Sequence, residues 1–302
     1  GIRPHPVFTR SMVFVKRAAA KVNSELGCLD EEKSKVIINA ADRIISGEFQ
    51  DQFVVDVYQA GAGTSYNMNV NEVIANIAIE SLGGEKGDYS VIHPNDHVNF
   101  GQSTNDVFPT TMRIAALSLL KELFPVVSEL ANALSEKAEE FDSVIKSGRT
   151  HLQDAAPIKF VQEFSGYASA VSKALEKTKN ASDALKELGI GGTAVGTGLN
   201  THSDYAKKII IELEEITGLD VRAASNYFEA MQSNAPITEV SGAVKVLATE
   251  MIRIANDLRL LSSGPKTGFA EITLPAVQPG SSIMPGKVNP VMAEMLNMVC
   301  FS

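Results

Sequence analysis

Four stretches of this 302-residue chain gather small hydroxyl and amide side chains among glycines. They are "GAGTSYNMN" (61–69), "GQSTND" (101–106), "GRTHLQDA" (148–155) and "PGSSIMPGKVNP" (279–290). Hydroxyls, amides and the free N–H groups of helix N-termini bind carboxylates at close range. Lys287 adds a full positive charge to the last stretch, and His151 sits in such a loop rather than on an apolar helix face. Each stretch also has a plainer reading. Ser103, Thr104 and Asp106 are suited to cap the helix after Pro109, and Thr150 and Asp154 to cap one opened by Pro157. Taken together, the four describe a cage of fixed donors for a small anion. No Cys/His metal spacing accompanies them. "GIGGTAVGTG" (189–198) follows a helical pattern rather than a strand and has no Gly-Lys-Ser/Thr, so it reads as a glycine turn and not a nucleotide loop.

Composition narrows the ligand and the setting. Asp plus Glu outnumber Lys plus Arg by 36 to 27, a net charge of −9. That argues against nucleic acid or an anionic membrane as partner, so an anionic substrate must be caught by local donors. No apolar run approaches the roughly 20 residues of a membrane span. Cys28 and Cys300 make neither a disulfide framework nor a metal cluster, and a reducing cytoplasm fits. The start "GIRPHPVFTR" has no signal-peptide pattern and the end "NMVCFS" has no helix stop signal, so the expectation is a polypeptide cut at both ends.

Long helices must position these loops. Apolar residues recur at helical spacing from Met112 to Phe141, with a kink expected at Pro125. A second run extends from Pro157 to Leu188 and is closed by Gly189. Val240, Val244, Leu247, Met251, Ile254, Leu258 and Leu261 form a heptad seam. Asn226 and Glu229 are a capping pair at its start and "SSGP" (262–265) ends it, which predicts one helix over 226–263, roughly 55 Å long. Residues 1–100 read as helices near Thr9–Leu26, Glu31–Ser46 and from the first polar loop to Ser81. The fold expected is mainly α: a small mixed helical N-terminal domain (1–103), then a long antiparallel helical bundle (104–302), both incomplete.

These blocks also carry a family likeness. "GSSIMPGKVNP" resembles the signature loop of the aspartase/fumarase superfamily, and "GAGTSYNMNVNEVIAN", "HPNDHVNFGQSTND", "GRTHLQDA" and "GGTAVGTGLN" resemble its other blocks in the same order. The resemblance implies a β-elimination that leaves fumarate, with no organic cofactor. Removing the proton beside a carboxylate builds a dianionic aci-carboxylate, which needs preorganised donors. Ser281 matches the base, acting as an alkoxide on a mobile lid. Lys287, Asn289, Thr64, Ser103, Thr104, Asn105 and Thr150 match residues that bind the substrate carboxylates. His151 matches a catalytic histidine paired with a glutamate at the position of Glu294. His93 matches a secondary dicarboxylate site, and a turn before a helix describes it equally well. The family implies a homotetramer with shared active sites.

Within the family the blocks favour ammonia as the leaving group, with water the alternative. "GAGTS", "QSTND" and "LPAVQPGSSIMPGKVNPV" resemble the branch that releases ammonia from L-aspartate. "HPND" and the histidine of "GRTHLQDA" resemble the branch that dehydrates L-malate, although "EAMQSNAP" lacks that branch's usual His-Asp pair. A non-catalytic relative on the same bundle is the third reading.

Overall fold

The computed structural model describes residues 1–59 and 61–302. Helices dominate: α1 (Pro6–Glu25), α2 (Glu31–Ile45), α3 (Thr64–Ser81), α4 (Thr104–Glu140), α5 (Phe160–Ser182), α6 (Tyr205–Thr217), α7 (Tyr227–Gln232), α8 (Ala235–Leu261) and α9 (Val291–Phe301). Strands β1 (Ile145–Thr150) and β2 (Gln153–Lys159) pair antiparallel, and β3 (Glu187–Leu188) pairs parallel with β4 (Arg222–Ala223). Among the described residues no helix is long and apolar enough to cross a membrane. The chain packs as two compact units, residues 1–121 with 182–237 and residues 122–181 with 238–302. Each unit is discontinuous in sequence. Thr104, where the helical bundle is expected to begin, is the first residue of α4, and its first part packs within the unit that also holds α1 to α3.

In the first unit, local signals start the helices. The His5 ring accepts the Val7 N–H at 3.2 Å ahead of Pro6, whose fixed φ suits a first helical position. Asp30 accepts the N–H groups of Glu32 and Lys33, and Glu31 and Glu32 favour the positive end of α2. The core is then aliphatic and fully buried, with Met12, Val13 and Val15 from α1, Ile37 and Ala41 from α2, and Val70, Ile74 and Ile79 from α3. Each large side chain buried this way contributes about 1.5–3 kcal/mol.

In the second unit, the heptad seam divides into two rows. Val240, Leu247, Ile254 and Leu261 are buried, the last three in a core with Val127, Leu134, Phe164, Tyr167 and Val171. Val244, Met251 and Leu258, the alternate row, are only half-buried.

Three local expectations need correction. Pro157 does not open a helix. It lies in β2 opposite Ser147, and α5 starts at Phe160. An exposed strand tolerates proline because no ladder N–H is required there, and the register shifts between Ser147 and Arg149. Thr150 and Asp154 are therefore strand residues and not helix caps. The run to Leu188 is also broken: α5 ends at Ser182, a 3-10 turn covers Asp183–Lys186, and Leu185 and Leu188 are buried outside the helix. Finally, the 226–263 helix is two helices. Asn226 caps α7 by accepting the Glu229 N–H at 3.1 Å, as its pairing with Glu229 predicts, but Ser233 is extended. Ser233 Oγ then accepts the Ala235 N–H at 3.2 Å and Pro236 fits the first turn of a new helix. α8 is consequently about 40 Å long. Pro125, by contrast, lies inside an unbroken α4.

Candidate active site

Thr64, Ser103, Thr104 and Asn105 fall in the first unit. Ser103 begins α4 with a reciprocal cap: its backbone N–H donates to Asp106 Oδ1 at 2.9 Å, and its Oγ accepts the Asn105 N–H at 3.2 Å. The hydroxyl proton of Ser103 is not used in that cap and can be given to a ligand. Thr104 Oγ1 accepts the Asn67 amide at 3.2 Å, and the exposed Asn105 donates to the Ala194 carbonyl at 2.8 Å. Thr104 and Asn105 line a pocket of about 610 Å³ with Ala62, Phe108, Phe228 and Gln232. Thr64 donates its hydroxyl to the Gly61 carbonyl at 2.6 Å, closing the turn that starts α3. Gly63 in that turn has φ +99°, and a Cβ there would sit 2.2 Å from the Phe108 ring, so only glycine fits. His93 takes the turn role, its Nδ1 accepting the N–H groups of Asn95 and Asp96 at 3.2 and 3.1 Å.

Thr150, His151, Ser281, Lys287, Asn289 and Glu294 fall in the second unit. The loop before α9 is closed at its neck. Gly280 N–H donates to the Lys287 carbonyl at 2.8 Å, and Asn289 Nδ2 donates to the Gly280 carbonyl at 3.1 Å. A Cβ at Gly280 would meet the Lys287 oxygen at 2.5 Å, so this neck requires glycine. Inside the loop, Ser281 Oγ accepts two backbone N–H groups, from Ile283 at 3.3 Å and Met284 at 3.2 Å. Donors converging on one hydroxyl oxygen favour its charged form over its neutral form. Serine, lysine and asparagine are thereby collected on one exposed loop.

His151 and Thr150 stand at the tip of the β1–β2 hairpin. His151 (φ +51°) and Leu152 (φ +61°) form its two-residue turn, although such turns prefer Asn-Gly. A left-handed leucine costs on the order of 1 kcal/mol or more, which the rest of the hairpin must offset. Its strands are mostly exposed, and two strands alone are marginal in water. Charge pairing fastens them. Glu271, from the segment after α8, receives Arg149 at 2.5 Å and Lys146 at 3.0 Å, and Lys146 also meets Glu163 at 2.5 Å. Lys146 lies 4.7 Å over the Phe160 ring and Arg149 lies 4.3 Å over Phe269. Burial acts to raise the Glu271 carboxyl, but hydrogen bonds from Arg149 and Lys146 outweigh it and hold the group below its ordinary value. Tyr167 donates to Glu163 and Asp257, and burial first, then those two charges, raise its hydroxyl far above the usual range.

Sequence reasoning missed Glu271. Its only signal was the need of Arg149 and Lys146, both inside a predicted loop block or beside it, for a counter-charge. Among the described residues no hydrogen bond joins His151 to Glu294; Glu294 lies 3.9 Å from Arg259 instead.

The lyase family model matches residues 6–302, which is nearly the whole chain. The chain belongs to the aspartase/fumarase lyase family. It is 51% identical over 301 residues to the aspartate ammonia-lyase of a Bacillus species, covering 100% of this chain and 64% of that enzyme. It is 52% identical over 291 residues to the class II fumarate hydratase of Thermosynechococcus vestitus, covering 96% of this chain and 62% of that enzyme. The recombinant class II fumarase of Schistosoma mansoni superposes with a TM-score of 0.94 at 38% identity, covering 99% of this chain and 66% of that one. The chain thus spans somewhat under two thirds of the length of these two curated enzymes. The mainly helical fold expected from sequence is the fold of this lyase family.

Proposed function

We propose that the full protein is an aspartate ammonia-lyase, converting L-aspartate reversibly to fumarate and ammonia. The observation that carries this reading is the oxygen of Ser281, held by two backbone N–H groups in a loop that also carries Lys287 and Asn289. In the reaction, the Ser281 alkoxide takes a proton from the carbon beside one carboxylate. The C–H electron pair moves into that carboxylate, giving the aci-carboxylate dianion. Its collapse forms the carbon–carbon double bond and expels the amine. Lys287, Asn289, Thr150 and the 103–105 run supply donors to the two carboxylates, and Thr64 a hydroxyl near the amine. His151, with a Glu294, holds a carboxylate.

Class II fumarase is the second reading, favoured by 52% identity to such an enzyme. There His151 moves the proton to the leaving hydroxyl, so the two readings part at one residue. Assaying the full-length protein on L-aspartate and L-malate side by side, by the ultraviolet absorbance of fumarate, decides between them. Fumarate from malate alone overturns the ammonia-lyase reading.

The same proposal includes a cytoplasmic homotetramer whose active sites combine loops of different subunits, with residues 1–103 as the N-terminal lyase domain and the bundle beginning at 104. Its support is the exposed hairpin, the half-buried row of the heptad seam and the lack of a His151–Glu294 bond within one chain.

A further inference from the structure

The first unit buries a carboxylate that the elimination itself does not use. Asp106, in the first turn of α4, is fully buried, and its two oxygens work in different directions. Oδ1 accepts the N–H of Ser103 at 2.9 Å, three residues back and just ahead of its own helix. Oδ2 accepts the N–H groups of Gly191 at 3.1 Å and Thr193 at 2.9 Å, from the glycine-rich loop more than eighty residues away in sequence. That loop is seated closely: Gly191 has φ +95°, and a Cβ there would lie 2.6 Å from the Ala206 side chain. Asn105 adds a fourth link through the Ala194 carbonyl.

A helix start needs one acceptor, and a neutral serine or asparagine supplies it. Burying a full carboxylate instead is costly. It has one capability a neutral cap lacks, two acceptor oxygens that serve donors on opposite sides. The charged or titratable groups facing it are Lys16 from α1 and Tyr205 from α6, both fully buried. Lys16 bonds to neutral partners, Asn99 Oδ1 at 2.7 Å and Gln102 Oε1 at 3.0 Å, and acts on Asp106 through its field.

We propose that Asp106 is a positioning residue, locking the donor segment 103–105 against the 191–194 loop and so fixing where Ser103, Thr104 and Asn105 meet substrate. This rests on the reading that 103–105 binds the dicarboxylate. Aspartate is required there because the amide of asparagine turns an N–H toward one of the two donor sets.

The test uses the full-length protein and Asp106→Asn. In the folded variant, the amides of Ser103, or of Gly191 and Thr193, exchange with deuterium at least tenfold faster, while amides of α2 are unchanged. The KM for the substrate and the inhibition constant of fumarate both rise at least tenfold. Unchanged exchange at all three amides overturns the clamp, and faster exchange with unchanged KM and fumarate binding overturns the positioning role. Where the variant does not fold, the unaltered protein carries the test. In that protein the amides of Ser103, Gly191 and Thr193, which share the Asp106 carboxylate, open together: their protection, corrected for intrinsic rates, agrees within about threefold and falls in step as urea is added. Protection of Ser103 that differs tenfold or more from that of Gly191 and Thr193, or that responds to urea separately, overturns the clamp. Should the protein act on neither aspartate nor malate, amide exchange still decides the clamp, so a failure of the functional reading is told apart from a failure of this one.

Discussion

At the scale of single residues, the chemistry rests on a loop oxygen with backbone donors. Ser281→Ala removes the oxygen that Ile283 and Met284 N–H groups hold. Turnover is expected to fall by several orders of magnitude, while the thermal midpoint moves by less than about 1 °C, because a half-exposed loop hydroxyl contributes little to the core. Steady-state kinetics and a melting curve on the same preparation check both halves; a variant retaining a tenth of wild-type turnover removes Ser281 as the base. The residue types of this site were legible in the sequence because their chemistry is carried by composition: serine, lysine and asparagine among glycines. Asp106 was legible only as a cap, since its second oxygen is engaged by a loop distant in sequence.

At the scale of elements, the hairpin and the start of α4 each hang on one acidic side chain. Glu271→Gln takes the charge from between Arg149 and Lys146, both largely buried, and leaves two cations facing a neutral amide. Stability is expected to drop by about 1–3 kcal/mol in urea unfolding. Activity should fall further than stability explains, because Thr150 and His151 ride on that hairpin. A variant that unfolds like wild type and keeps full activity refutes the anchoring role. The Asp106 region makes a pH prediction of definite sign. Burial raises Asp106 from 3.8 to about 6, so the folded state holds a proton that the unfolded chain releases in that window. Its contribution is present below about pH 4 and is lost as pH rises to about 6. Burial lowers Lys16 from 10.5 to about 7, so its contribution is present above the higher value and lost as pH falls through the lower. The stability difference between wild type and Asp106→Asn should therefore shrink from pH 4 to 6, as read from denaturant titrations; a difference constant across that range rejects this titration.

At the scale of the whole molecule, assembly is the prediction. A homotetramer with composite sites predicts complementation: inactive Ser281→Ala chains mixed with inactive His151→Ala chains should regain activity, up to roughly a quarter of wild type if subunits mix at random and each site draws one of these residues from each of two chains. A fully active monomer in sedimentation contradicts the proposal. The seam on α8 supports it physically. Val240, Leu247, Ile254 and Leu261 are buried by their own chain, whereas Val244, Met251 and Leu258 are half-buried, and Met251 and Leu258 line an apolar cavity of about 530 Å³ in the second unit.

The sequence by itself determined the helical class, the start of α2 near Glu31, the end of α8 before "SSGP", and the four donor blocks. Each of these depends on neighbours within one or two turns, where spacing and cap chemistry act directly. Only tertiary structure decided the rest. Whether 153–159 became helix or strand turned on pairing with 145–150, and the same segment carries a proline compatible with either. The division of 226–263 into two helices is the exception, a local effect of Ser233 capping a new start two residues on. The second oxygen of Asp106 on the 191–193 loop and the charge bridge of Glu271 depend on groups brought together across 85 and 122 residues, a distance over which a sequence pattern carries no periodic signal.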